Sequence, residues 1–163
     1  MSVKESIRPE KIDYYLNIAR EVATRATCIR RKYGAIIVNN DEIISTGYCG
    51  APRGCKNCTD LGVCKREELN IPSGQRYELC RSVHAEQNAM LSASRVAMQG
   101  ATMYVAGLDA KTGEVLADMS VCLLCKKMLL NSGIEQVIMR SVKNGKSGHV
   151  QQKVSAYMAE VNE

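Results

Sequence analysis

The sequence predicts a single α/β domain, a sheet flanked by helices, and three observations carry that prediction. Short β-branched runs alternate with stretches of three- and four-residue apolar periodicity, in the order α-β-β-insert-α-β-α-β-α. The chain has 163 residues, 45% hydrophobic and 24% charged, which suits one core-bearing domain. One stretch, residues 49–81, follows neither period and is dense in cysteine, so it reads as an insert into the regular frame.

Each element has its own signal. Glu10 to Thr27 places Ile12, Tyr15, Leu16, Ala19, Val22, Ala23 and Ala26 on one helical face. Tyr33 to Asn39 (YGAIIVN) is an apolar strand. Asn39-Asn40-Asp41 supplies a turn and Glu42 to Tyr48 a second strand, together a hairpin. From Cys49 to Arg81 the chain holds five cysteines and two prolines, and a loop that long in a compact domain needs an organiser. His84 to Ala97 reads as a helix and Ala101 to Gly107 as a strand. Leu108 to Met119 is a polar excursion around Lys111-Thr112-Gly113. Val121 to Asn131 is a helix stopped by Gly133, Ile134 to Arg140 a strand, and His149 to Val161 a last helix. The chain ends soon after, so no fifth strand is expected.

Composition narrows the class. Three prolines and twelve glycines exclude a collagen-like or disordered chain. No apolar run is long enough to span a membrane, and the N-terminal MSVKESIRPEK has no apolar core of a leader, so the expected address is the cytoplasm. With seven Tyr and no Phe or Trp, the core must rest on aliphatic residues and methionine. The net charge of +5 is compatible with a phosphorylated small molecule or with a solvated basic surface. Eight cysteines in a chain without a leader, two of them in a Cys122-x-x-Cys125 step, point to metal thiolates rather than disulfides.

Three segments carry the chemistry: His84-Ala85-Glu86 at a helix start, Cys122 and Cys125 at another, and Tyr33-Gly34-Ala35 opening the first strand. One His and two Cys give a zinc ion three protein ligands and leave a fourth position for a reacting water. Cys122 and Cys125 share a helical face, and a helix start favours thiolate over thiol. Glu86 reaches the open position without ligating, which suits a proton carrier. His-x-Glu and Cys-x-x-Cys together, in this order, resemble the arrangement of zinc nucleobase deaminases.

On these residues the chain resembles the cytidine and deoxycytidylate deaminase superfamily. His84-Ala-Glu-Gln-Asn-Ala-Met is similar to its HAE-x-NA segment, and Gly34-Ala-Ile-Ile-Val to its first strand. Gly47-Tyr-Cys-Gly-Ala-Pro-Arg-Gly is similar to its glycine-rich loop. Ala101-Thr-Met-Tyr-Val and Ser132-Gly-Ile-Glu-Gln-Val are similar to its later strands. The match runs from about Tyr14 to Arg140. It implies a three-layer α/β/α sandwich with a mixed central sheet, in one deaminase domain spanning residues 1–163. It implies a catalytic zinc on His84, Cys122 and Cys125, with Glu86 moving a proton from water to N3 and then to departing ammonia as C4 of cytosine becomes a carbonyl. The implied substrate is a pyrimidine deoxynucleotide, dCMP converted to dUMP. The implied substrate-binding residues are Ala85, Gly34, Ala35, Cys49, Gly50, Arg30, Arg31 and Arg53. A homo-oligomer and dCTP or dTTP effectors also follow from the resemblance, and no nucleic acid or membrane partner is expected.

Two positions depart from the family pattern. Val121 stands where the family usually has Pro before the Cys pair, and Cys49 where deoxycytidylate deaminases usually have Asn. The longer excursion at 108–119 bears on one wall of the pocket. Cys55, Cys58, Cys64 and Cys80, spaced C-x2-C-x5-C-x15-C, are a candidate second, structural zinc site, with Cys28 and Cys49 as alternative ligands. Arg25, Arg30, Arg31 and Lys32 offer phosphate contacts or a solvated face. Rival readings are deamination of another base (a tRNA adenosine, guanine, a riboflavin precursor) and a noncatalytic zinc module for nucleic acid. Glu86 argues against the noncatalytic module, and missing stacking aromatics against RNA binding.

Overall fold

The computed structural model describes residues 7–163. The first six residues, on which much of the leader reading falls, lie outside the described residues. Helix α1 (Lys11–Ala23) leads into strands β1 (Arg31–Asn39) and β2 (Glu42–Tyr48). The insert carries two one-turn helices, α2 (Cys58–Leu61) and α3 (Lys65–Glu68). Then come α4 (Ala85–Leu91), α5 (Arg95–Met98), β3 (Thr102–Asp109), α6 (Leu123–Ser132), β4 (Gln136–Lys143), β5 (Lys146–Lys153) and α7 (Tyr157–Asn162). The sheet order is β2-β1-β3-β4-β5; β3 and β4 are parallel and the other pairs antiparallel. The mixed sheet between two helical layers is the sandwich expected.

The run Ala35-Ile36-Ile37-Val38 is buried throughout because both sheet faces are covered. Ile36 and Val38 pack with Tyr15, Leu16 and Ala19 of α1. Ala35 and Ile37 pack with Ala85 and Ala89 of α4 and Leu129 of α6. Two glycines set how close the layers come. A Cβ on Gly34 would lie 2.2 Å from the Ala19 carbonyl oxygen, and one on Gly47 2.3 Å from the Ala89 nitrogen. Thus α1 rests directly on β1, and α4 directly on β2.

Two elements differ from the sequence reading. There is a fifth strand, and residues 149–153 belong to it rather than to a last helix, which begins at Tyr157. Asn144 and Gly145 both take positive φ (51° and 73°), the two-residue turn whose twist suits a hairpin. The strand it creates is an exposed edge of polar residues with no apolar period to reveal it, and His149 lies on it, opposite Arg140. The helix predicted over 84–97 is broken at Ser92-Ala93-Ser94. Ser94 Oγ accepts the Ala97 N–H at 3.1 Å and starts α5 as a new N-cap. No helix among the described residues is long and apolar enough to cross a membrane.

Candidate active site

The helix starts of α4 and α6 build the centre. His84 is the N-cap of α4, in extended conformation, and its N–H is capped by Gln87 Oε1 at 2.9 Å. Cys122 is the N-cap of α6, and Cys125 lies in the first turn of that helix. Val121 is buried in the core beneath α6, so an aliphatic side chain anchors this start where the family places Pro.

His84 Nδ1 lies 3.3 Å from Cys122 Sγ and 3.4 Å from Cys125 Sγ. The three donors lie within 4.8 Å of one another, the only such metal-capable cluster among the described residues. Zinc at ordinary Zn–S and Zn–N lengths holds such donors about 3.6 Å apart in tetrahedral geometry, so the trio fits that ion. The protonation chemistry agrees. Cys122 is held well below the ordinary thiol range, first by the Cys125 thiol donating to it and then by His84. Cys125 is raised by that same shared proton. A divalent cation would take the proton's place between the two sulfurs.

Glu86 is only 9% exposed, and burial pushes its carboxyl above the usual carboxylate range. It faces the same cleft as His84 and Cys122 and stands apart from the three-donor cluster. Tyr33 of β1 also lines the cleft. Burial raises its phenol, against a hydrogen bond from Arg31 that lowers it. Gly107 pairs with Tyr33 across β1 and β3. A Cβ there would lie 2.9 Å from the Tyr33 ring, 2.8 Å from Leu116 and 2.8 Å from Met119. Leu116 and Met119 of the excursion thus pack beside the Tyr33 ring over a glycine, while no residue of 108–119 itself lines the cleft.

The other sequence candidates divide. Ala85, Arg30, Arg31 and Cys49 line the cleft. Arg30 is spent on an ion pair with Glu67 at 2.8 Å. Cys49 Sγ accepts the Tyr33 N–H at 3.3 Å and lies 3.7 Å from the Arg31 carbonyl, and burial pushes its thiol up to about 12. Gly34 and Ala35 are not in the cleft: the first is packed under α1 and the second lies in the core beneath α4. Gly50 pins the insert to the lead into α4 through paired hydrogen bonds with Val83, 3.2 and 2.8 Å. Arg53 is exposed on the following turn and does not reach the cleft.

Of the insert cysteines, Cys55 is exposed and Cys58 buried, while Cys64 and Cys80 line the cleft beside Cys28. The Cys58 thiol is raised by burial and by Cys28, Cys80 and Cys64, against Arg81, which lowers it. The four insert thiols do not form a set within liganding distance of one another.

Sequence reasoning missed Arg66 and Tyr77. The Tyr77 ring stands edge-on to His84, centroids 5.5 Å apart, and the Arg66 guanidinium lies 4.6 Å over that ring. Both come from the aperiodic insert, where nothing in the sequence marks which side chains turn inward.

Comparisons with known proteins agree with this geometry. Residues 9–141 match the family model described as the cytidine and deoxycytidylate deaminase zinc-binding region. A deoxycytidylate deaminase of Mycobacterium phage D29 is 35% identical over 135 residues, covering 80% of this chain and 94% of the relative. That of Schizosaccharomyces pombe is 31% identical over 138 residues, covering 84% of this chain and 39% of the relative. The chain thus spans about two fifths of the yeast proteins it matches, 39% and 38%. Among solved structures, the dCMP deaminase of cyanophage S-TIM5 superposes with a TM-score of 0.56 at 25% identity, covering 85% of this chain and 89% of that one. The same cyanophage enzyme has been crystallised with dCMP and dUMP.

Proposed function

The chain belongs to the cytidine and deoxycytidylate deaminase family, and on that premise we propose that it hydrolyses the 4-amino group of a pyrimidine deoxynucleotide, dCMP to dUMP and ammonia. The observation that carries the proposal is Glu86, a buried carboxyl facing the cleft beside a three-donor cluster of which it is not a member. A purely structural metal site has no use for it. The names of the phage and yeast relatives and the cyanophage nucleotide complex favour dCMP among the family's substrates.

Zinc, when bound, would make water a nucleophile near neutral pH. His84, Cys122 and Cys125 are the residues that would hold the ion. Glu86 takes a proton as water adds at C4 and delivers it to N3. A second transfer goes to the amino nitrogen, which leaves as ammonia while C4 becomes a carbonyl. The desolvated carboxyl binds a proton more readily than an exposed one, which suits that carrier role. Ala85, at the cleft wall, offers backbone to the pyrimidine edge.

The test is a deamination screen of the metal-replete protein on dCMP, CMP, dCTP, deoxycytidine, guanine and adenosine, followed by ultraviolet change or ammonia release. Turnover with dCMP foremost is the expected result; turnover of a purine alone overturns the reading.

We also propose a second zinc, held by thiolates around buried Cys58. Support comes from the influence of Cys28, Cys64 and Cys80 on the Cys58 thiol, in a segment with almost no apolar core, although no three of these sulfurs lie within 4.8 Å of one another. Cys55 is exposed and is not among the thiols that act on Cys58, so this proposal leaves it out.

A further inference from the structure

Resting on the nucleotide reading above, we propose that Arg66 of the insert is the residue that recognises the substrate's 5′-phosphate. Three arginines line the cleft, and two are already engaged: Arg30 with Glu67, Arg31 with the Tyr33 hydroxyl. Arg66 is 7% exposed and has no carboxylate partner among the described residues. Its Nη2 donates to the Pro72 carbonyl at 2.9 Å and the Gln75 carbonyl at 2.8 Å, which fixes the group in place. Its Nε is buried with no acceptor.

Burying a guanidinium without a counter-charge, and one of its N–H groups without an acceptor, is costly unless an anion completes the site. The only carboxylate in the cleft is Glu86, at the metal end. Arg66 lies over the Tyr77 ring, and that ring stands perpendicular to His84, so Tyr77 touches both the guanidinium and the metal ligand. A pyrimidine at the metal end would extend its sugar and phosphate past such a ring. A phosphate monoester supplies both the charge and acceptor oxygens for the guanidinium N–H groups that Pro72 and Gln75 leave free. Ser73 also lines the cleft and adds a hydroxyl donor from the loop that Arg66 holds.

The experiment compares dCMP with deoxycytidine in wild type, Arg66→Gln and Arg66→Lys, with zinc content measured in each. A charge-assisted phosphate contact is expected to favour dCMP by roughly tenfold to a hundredfold in kcat/KM. In Arg66→Gln the dCMP-to-deoxycytidine ratio is expected to fall about tenfold or more, through KM for dCMP, with zinc per chain unchanged. Arg66→Lys keeps the charge and loses the planar guanidinium with its carbonyl contacts. It is expected to lower the ratio by about threefold or more, and it carries the test if the Gln variant does not fold. Inorganic phosphate binding, read by calorimetry, tests the site without turnover, and weakening by about tenfold or more in the variants is expected. An unchanged ratio in a folded variant overturns the proposal. So does an equal loss on both substrates. A loss of zinc with an unchanged ratio does so too, since it would make the cysteine thiolates the counter-charge of Arg66. Phosphate binding that weakens in the variants while wild type deaminates nothing leaves Arg66 as an anion site and overturns the deaminase reading instead.

Discussion

The frame and the insert of this molecule are held together by different physics. In the frame, β-branched and aliphatic residues of the sheet meet apolar stripes of α1, α4 and α6 on both faces. Between residues 51 and 81 only Cys58 and Arg66 are buried, a thiol and a guanidinium. The frame places His84, Glu86, Cys122 and Cys125 on helices whose positions are set by core packing. The insert brings Arg66, Tyr77 and three cysteines, Cys49, Cys64 and Cys80, to the same cleft, with Arg66 fixed by the Pro72 and Gln75 carbonyls. On the proposed reading, the chemistry falls to the frame and phosphate recognition to the insert.

The largest expected effects strike the frame's chemistry. Glu86→Gln should keep the fold and the zinc while turnover falls by roughly 10²–10⁴, as for loss of a general acid/base. Cys122→Ser should lose catalytic metal as well as turnover. Near-full activity of Glu86→Gln on the true substrate would remove the carboxyl from the mechanism and break the division between the two regions. Next in size is the frame's packing. Gly34→Ala would push a Cβ into the backbone of α1 and should cost about 3 kcal/mol, or roughly 6–12 °C in Tm. A melting curve settles it, and an unchanged Tm would mean that α1 can slide off β1.

Chelation separates the two regions more sharply. If thiolate–metal bonds organise the insert, then stripping metal should open residues 51–81 to proteolysis while the sheet keeps its far-ultraviolet signal. Elemental analysis of replete protein should give two zinc ions per chain. Cys58→Ser should bring that to one, and Cys55→Ser should leave it at two. One zinc per chain in wild type would sink the second site and leave hydrogen bonds alone to order the insert.

Legibility follows the same boundary. The strands β1 to β4, α1 and the His84, Glu86, Cys122, Cys125 constellation could be read because apolar period and ligand spacing are local in sequence. Strand β5 could not be read by period, since an exposed edge buries nothing on one side. The Asn144-Gly145 turn was its one available signal. The break at Ser94 hid inside a run that helical periodicity alone would continue. Gly34 was read as a substrate contact because of its place in a motif. What it does is set by Ala19 and Ala23, residues with which it shares no sequence pattern. Arg66 could not be found at all, because its burial depends on Pro72, Gln75 and Tyr77 folding back around it.

The smallest expected effects test whether the two regions differ in cooperativity as well as in composition. Ser94 caps α5 through a single bond, Oγ to the Ala97 N–H. Ser94→Ala should cost about 1 kcal/mol, and because α5 belongs to the frame that loss should appear as a shift of the whole melting transition, roughly 2–4 °C. Asn57 plays a comparable part in the insert: its Oδ1 accepts from the Thr27 hydroxyl at 2.8 Å and from the Ala51 N–H at 3.3 Å. Asn57→Ala removes both contacts, yet the residues it frees belong to a segment with almost no apolar core. Its effect should therefore be local, seen as faster amide exchange at Ala51, while the frame's Tm stays within about 1 °C. Equal Tm shifts from the two variants would show that the insert melts with the sheet, and its ordering would then have to come from the core after all.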